Sequence, residues 1–324
     1  MPTMDPMGET SRAGITRMDI EAAARRLEGR LRRTPVIDWV VEVDGVAVEL
    51  VCKLELLQYT GSFKPRGAFN RLLSEEEPIG RVVAASGGNH GKAVAYAARA
   101  LGLPATIYVP RSAPEVKVAG IAALGAEVVQ VGETYADALA ASEELAALSG
   151  VLAVHAYDDP EVVAGQGTVG AELERDAPEL DAVLVATGGG GLLGGIAAWY
   201  GTTTQVICVE PEGCPTMHDA LAAGHPVEVE VGGLASDSLG ARKIGQLGFD
   251  AAVAAGVLPV LVSEQAIADA RRRLFTDLHL AAEPGGVAAL AAVLSGAWRP
   301  ADGARVGVVL CGANADPADL LVRA

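Results

Sequence analysis

Seven short apolar runs that alternate with helix-period segments constrain this chain more than any other feature. The strand-like runs are Val46–Val51, Arg81–Ala85, Ala105–Val109, Glu127–Val131, Ala182–Ala186, Gln205–Val209 and Arg305–Leu310. Helical patterns fall at Gly91–Leu101, Pro114–Leu124, Tyr135–Leu148, Leu192–Tyr200, Glu264–Leu274, Val287–Leu294 and Asp316–Val322. Such alternation predicts an α/β fold of parallel-rich sheets with helices on both faces. A run like Val183-Leu184-Val185-Ala186 has no polar side to turn to water, which suits a strand buried on both faces. Leu101-Gly102-Leu103-Pro104 and Leu124-Gly125-Ala126 place glycine where a helix ends in a left-handed residue. Gly80 to about Val154 reads as a compact unit of three strands and three helices, with Asp158-Asp159-Pro160 as the crossing back. The expected organisation is two-lobed: a large domain of residues 1–75 and 158–324, and a small domain of residues 76–157. A chain of 324 residues, half of them hydrophobic, can bury cores of that size.

The net charge of −16 argues against a nucleic-acid-binding face. The arginine clusters Arg25-Arg26, Arg32-Arg33 and Arg271-Arg272-Arg273 read as solvated helix faces. Cys52, Cys208, Cys214 and Cys311 match no metal-binding spacing, and three of them lie at apolar runs where cysteine packs as a small hydrophobe. That usage fits a reducing compartment. Met1 to Gly14 is polar and lacks a signal-peptide pattern, and no apolar run is long enough to span a bilayer. A cytoplasmic protein with no nucleic-acid or membrane partner is expected.

Four motifs carry chemistry. Thr60-Gly61-Ser62-Phe63-Lys64-Pro65-Arg66-Gly67-Ala68 sets one lysine in a tight, glycine-flanked, largely apolar setting. Apolar surroundings disfavour a charged amine, so Lys64 is a candidate for a lysine that forms a Schiff base. A turn followed by a solvated lysine is the competing reading. Ser86-Gly87-Gly88-Asn89-His90-Gly91 follows a strand and opens a helix, whose unpaired N–H groups suit an anion such as a carboxylate. Here Asn89 as a plain helix N-cap and His90 as a surface residue are the alternatives. Thr187-Gly188-Gly189-Gly190-Gly191-Leu192-Leu193-Gly194-Gly195 also joins a strand to a helix, and its glycines suit a turn whose N–H groups converge on a phosphate. The same segment offers a rival: Gly189, Gly191 and Gly194 satisfy a dinucleotide fingerprint, with Glu210 placed to meet a ribose. Leu310-Cys311-Gly312-Ala313-Asn314 places Cys311 at the carboxyl end of a strand, where open α/β sheets bind ligands.

Together, and in this order, the four motifs resemble the fold-type II pyridoxal phosphate enzymes (tryptophan synthase β-like), specifically the serine/threonine dehydratase and serine racemase group. The resemblance runs from Arg33-Thr34-Pro35 to Asn314. It implies pyridoxal 5'-phosphate as cofactor, held in the large domain on Lys64, which also moves protons at the substrate Cα. It places Phe63 beside the cofactor ring, Asn89 on the phenolic oxygen, and Gly188, Gly189, Gly190, Gly191 and Leu192 around the phosphate. Ser86 and the N–H groups of Asn89 and His90 then hold the substrate carboxylate. Gly240 lies against the ring, Glu283 lines the site, and Cys311 faces the pyridine nitrogen.

The implied reaction is β-elimination from L-threonine or L-serine to a 2-oxo acid and ammonia, with the cofactor phosphate as acid for the leaving hydroxyl. A serine racemase, a hydroxyaspartate dehydratase and a threonine synthase-like enzyme are alternatives within the family, and an NAD-dependent oxidoreductase outside it. Racemases carry a serine where this chain has Gly87, which favours elimination. Glu210 matches the glutamate of the family's cation site, but Thr216 stands where its aspartate does, so no metal ligand is assigned. The chain ends soon after Asn314, so feedback by isoleucine through a C-terminal regulatory domain is not expected. A homodimer is the assembly that the family implies.

Overall fold

The computed structural model describes residues 14–315, so the helix expected at Asp316–Val322 lies outside the described residues. Within them the strands form two sheets. The first contains β1 (Val36–Val43), β2 (Val46–Lys53), β7 (Ala182–Ala186), β8 (Gln205–Pro211), β9 (Leu258–Val262) and β10 (Arg305–Val309), in the order β1-β2-β10-β7-β8-β9. β1 runs antiparallel to β2, and every other pair is parallel. The second sheet holds β3 (Arg81–Ala85), β4 (Ala105–Val109), β5 (Glu127–Gln130) and β6 (Val151–Ala153), in the order β5-β4-β3-β6, all parallel. Each sheet carries its own apolar core. The helix Ala288–Leu294 is buried against the first sheet, which is why it is built from alanine, leucine and valine alone.

All seven expected runs are strands, and the departures have local causes. The unit after Gly80 has four strands rather than three, because the three-residue β6 is too short to show a pattern. β1 falls outside the expected runs although its hairpin signal is present: Asp44 and Gly45 both take positive φ, 51° and 81°, as a two-residue hairpin turn requires. β9 contains Pro259, which a sheet tolerates because β9 is an edge strand.

The helix Pro160–Asp176 is disguised in the sequence by Gly165, Gly167 and Gly170. They are contact points rather than breaks. A Cβ on Gly165 would lie 2.6 Å from the Arg66 carbonyl oxygen, and one on Gly167 2.8 Å from that of Gly195. The helix is thus clamped between the helices Pro65–Leu73 and Gly191–Tyr200. Its start is the segment read as a crossing: Asp159 caps it by accepting from the N–H groups of Glu161 and Val162, both at 2.9 Å, and Pro160 follows at the first helical position. Arg271 also departs from expectation: it is buried, and its Nε donates to Ala282 O at 3.0 Å, so this arginine cluster is not wholly a solvated face.

A buried ion network ties these helices to the first sheet. Arg66 donates to both oxygens of Glu55 (2.7 and 2.8 Å), to both of Glu172 (2.8 Å each) and to Thr168 Oγ1 (3.1 Å). Lys53, on β2, donates to Glu172 at 2.8 Å and to Thr34 O at 2.8 Å. Burial works against the Arg66 charge, but Glu55 and Glu172 hold its pKa above the usual value. Removing one partner of such a pair leaves a buried charge uncompensated. Glu55→Ala should therefore cost roughly 3–5 kcal/mol, read as a fall in the urea midpoint. A midpoint matching the unchanged protein would show that Glu172 alone suffices.

Candidate active site

Lys64 immediately precedes the helix Pro65–Leu73, behind a turn that needs two left-handed residues, Thr60 (φ 61°) and Gly61 (φ 75°). Hydrogen bonds to the segment after β10 hold that turn. Phe63 N–H donates to Cys311 O (3.2 Å), Ala313 N–H to Gly61 O (2.8 Å) and Asn314 Nδ2 to Thr60 O (2.7 Å). The Lys64 amine donates to Ala156 O at 2.7 Å and stands 5.2 Å from the centre of the Phe63 ring. Burial lowers its pKa from 10.5 to about 8, with nearby Glu283 acting in the opposite direction. A usable fraction of the amine is therefore neutral near physiological pH, as nucleophilic attack requires. Lys64 is half-buried and hydrogen-bonded, which does not fit the reading as a solvated turn lysine.

The Ser86–Gly91 turn leaves β3 and opens the helix Asn89–Ala100. Its N-cap is Gly88, not Asn89, and His90 is buried rather than on the surface. Asn89 instead turns inward: Nδ2 donates to Glu283 Oε1 at 2.6 Å, and Oδ1 accepts from Asn314 Nδ2 at 2.7 Å. The His90 ring points the other way, with Nε2 2.8 Å from Val154 O. Burial and then the Lys64 charge lower its pKa to about 3, so it is a neutral donor to that carbonyl. Only the backbone of His90 faces the turn. Ser86 Oγ accepts from Gly88 N–H (3.2 Å), and no acceptor among the described residues faces the N–H groups of Gly87, Asn89 and His90.

The glycine run leaves β7 and opens the helix Gly191–Tyr200, with Gly190 as a left-handed N-cap (φ 88°). No acceptor among the described residues faces the N–H groups from Gly188 to Leu192; the first bond of the helix is Gly194 N to Gly190 O, 2.7 Å. Side chains are excluded on every side. A Cβ on Gly188 would lie 2.8 Å from Leu239 Cα, and one on Gly189 2.2 Å from the Tyr157 ring. Tyr157 follows Ala156, so the segment that accepts the Lys64 amine also packs on the glycine turn. On the other side Leu239 precedes Gly240, whose N–H donates to Ser236 O at 3.0 Å, and Ser238 meets Gly285 beside Glu283. Cys311 lies buried, its Sγ 3.6 Å from Gly285 O, and burial pushes its thiol pKa up. Contacts thus link Phe63, Lys64, Asn89, the glycine run, Glu283 and Cys311, while Ser86 and Gly240 are bonded within their own turns, next to Asn89 and Leu239 respectively.

Sequence reasoning does not find Tyr157, Lys92 or Asn314. Tyr157 carries no signal. Lys92 stands three residues after Asn89, hence on the same helical face, and Asn314 closes a motif of which the cysteine alone is read.

Glu210 settles the dinucleotide alternative against it. Its carboxylate is fully buried and accepts from Met217 N–H (2.7 Å), His218 N–H (2.9 Å) and Thr216 Oγ1 (2.8 Å), so it caps the helix Thr216–Ala223 and cannot meet a ribose. Gly194 faces the backbone of Gly248 rather than a ligand: a Cβ on Gly194 would lie 2.8 Å from Gly248 Cα. Burial raises the Glu210 pKa from 4.5 to about 7, against the pull of those N–H groups. The folded state therefore keeps a proton that the unfolded chain releases. This contribution to stability is full below pH 4.5 and is lost as pH rises toward about 7. Glu210→Gln should flatten the fall in denaturation midpoint across that window; an equally steep fall would assign the titration to another group.

Comparison with known proteins agrees with this geometry. Residues 27–312 match the family model described as pyridoxal-phosphate dependent enzyme. An L-threonine ammonia-lyase from Thermotoga maritima is 38% identical over 307 residues, 93% of this chain and 76% of that protein. A phenylserine dehydratase from Ralstonia pickettii is 38% identical over 302 residues, 90% of this chain and 91% of that one. Among solved structures, maize serine racemase superposes with a TM-score of 0.88 at 30% identity, covering 95% of this chain and 96% of that one. With the fold, the lysine and the two N–H turns already in place, these matches show that the chain belongs to the family of pyridoxal-phosphate-dependent enzymes.

Proposed function

We propose that this protein is an ammonia-lyase that eliminates the β-hydroxyl of L-threonine or L-serine as water, after which water hydrolyses the released enamine to a 2-oxo acid and ammonia. The observation that carries the reading is the Lys64 amine, made partly neutral by burial and joined through contacts to two turns whose N–H groups have no acceptor among the described residues. The residues fit pyridoxal phosphate. Lys64 can take its aldehyde carbon, and the Gly188–Leu192 turn offers donors for a phosphate with no Cβ in the way. The hydroxyls of Thr60 and Ser62, beside Lys64, are buried with no partner among the described residues.

When bound, pyridoxal phosphate supplies an electron sink that makes the substrate Cα–H acidic and lets a β-substituent leave. The protein's part is to aim and to move protons. Ser86 and the N–H groups of Asn89 and His90 orient the substrate carboxylate. Lys64 would hold the cofactor and would be the base for the substrate Cα proton. Cys311 stays a neutral thiol, so it would give a pyridine nitrogen no negative partner, which would suit loss of a β-hydroxyl. The small domain of residues 76–157 then supplies the carboxylate turn and the Ala156-Tyr157 segment, and the large domain supplies Lys64, the phosphate turn, Glu283 and Cys311. A homodimer in the cytoplasm belongs to the same reading; the four buried free cysteines suit a reducing compartment.

The test is 2-oxo acid release from L-threonine, L-serine, hydroxyaspartate and phenylserine, measured side by side. Threonine or serine should lead. Lys64→Ala should lose the activity together with the visible absorption of the lysine-bound cofactor, about 410–420 nm. A wild-type protein that takes up no pyridoxal phosphate and stays colourless would sink the proposal.

Gly87 decides between elimination and racemisation. A Cβ there would meet only Val109 at 3.8 Å and Ala113 at 4.0 Å, so a serine fits without repacking. Wild-type protein should form no D-serine from L-serine, and Gly87→Ser should begin to. Rapid D-serine formation by the wild type would overturn the assignment of Lys64 as the one proton carrier at Cα.

A further inference from the structure

Four side chains around Asn89 form a single line of hydrogen bonds. Lys92 Nζ donates to Asn314 Oδ1 (3.1 Å), Asn314 Nδ2 to Asn89 Oδ1 (2.7 Å), and Asn89 Nδ2 to Glu283 Oε1 (2.6 Å). An ammonium can only donate and an ionised carboxylate can only accept. Those two ends leave one order for the amides between them. The second Asn314 N–H goes to Thr60 O at 2.7 Å, so both of its amide protons are used. Asn89 keeps one N–H with no acceptor among the described residues. An inverted Asn89 would present its oxygen at that place instead. Lys92 is well placed to head the line. It lies one turn after Asn89, and its stem passes Gly120, where an added Cβ would be 3.5 Å from Lys92 Cε. Burial raises the Glu283 carboxyl pKa, and the bond from Asn89 and the Lys92 charge oppose that rise.

We propose that Lys92, acting through Asn314 and together with Thr60 O and Glu283, fixes the direction in which Asn89 donates, so that its free N–H is presented to the phenolic oxygen of the cofactor. Lys92 and Asn314 are positioning residues in this account. It rests on the pyridoxal phosphate reading of the site. Placing an acceptor at the head of the line opposes the order that Thr60 O and Glu283 keep, and so loosens the hold on Asn89. Lys92→Glu sets an acceptor against Asn314 Oδ1, and Asn314→Asp removes the donor that Asn89 Oδ1 needs. Either change raises the share of molecules in which Asn89 turns an oxygen toward the phenolic oxygen, where a donor had stabilised the charged form. Lys92→Arg keeps a donor at the head of the line.

Two measurements test this. In the holoenzyme, Lys92→Glu and Asn314→Asp should each shift absorption from the visible band to the near ultraviolet. Each should also weaken cofactor binding about tenfold, the worth of one charge-assisted hydrogen bond. The double variant should add little to either single change, because both break one unit, while Lys92→Arg should keep the wild-type spectrum. In the protein before cofactor is added, side-chain amide exchange read by NMR should show both Asn314 protons slow and one Asn89 proton fast, a pattern that Lys92→Glu abolishes. A wild-type spectrum in a fully loaded Lys92→Glu protein, or an exchange pattern that Lys92→Glu leaves unchanged, overturns the proposal. If no cofactor binds, the functional reading fails by itself, and the exchange pattern still decides the role of Lys92.

Discussion

The buried guanidinium of Arg66 is the interaction on which the arrangement around Lys64 depends. It sits two residues beyond the amine, in the first turn of the helix Pro65–Leu73, and its partners come from Glu55, after β2, and Glu172, on the helix Pro160–Asp176. One side chain thus fixes a helix, a strand end and a second helix relative to one another. A hydrophobic residue of the same volume could fill the space. It could not set the rotation of the helix about its axis, because dispersion contacts carry no direction. The fork of the guanidinium, met by two carboxylates, does. Orientation of Lys64 is what this charge secures.

Close backbone approach is the second device, and glycine is its instrument. Gly165 meets the Arg66 carbonyl, Gly195 meets Gly167, and Gly188 meets Leu239, each at distances that a Cβ would violate. The first two bring helices together. The third narrows the turn after β7, whose N–H groups meet no acceptor among the described residues. Packing and binding use the same residue type for the same reason, removal of the side chain, which is why glycine content alone does not separate them.

How much is legible in the sequence follows from how many uses a local pattern has. Lysine after Gly-Ser-Phe, a Ser-Gly-Gly-Asn turn and four consecutive glycines each have a rival reading when taken alone, as a turn, a helix cap or a dinucleotide fingerprint, and their combination in one order is what stands out. The continuous apolar strands are equally plain. By contrast, Pro259 within β9 and three glycines within the helix Pro160–Asp176 contradict the element that contains them, and only tertiary contacts override the local signal. The direction of the Asn89 amide is beyond reach for another reason. It is set by Asn314, 225 residues away, and by a lysine whose role depends on both.

The helix Pro65–Leu73 has one further consequence. The turn before it is bonded to the segment that follows β10, in the six-stranded half of the molecule. Yet Ala68, Phe69 and Leu72, on the helix itself, are packed into the core of the four-stranded half. Lys64 stands at the seam between those anchorages. Rocking one half against the other would lever the amine about the Thr60–Gly61 turn, so in this architecture a change in shape and a change in reactivity share one fulcrum.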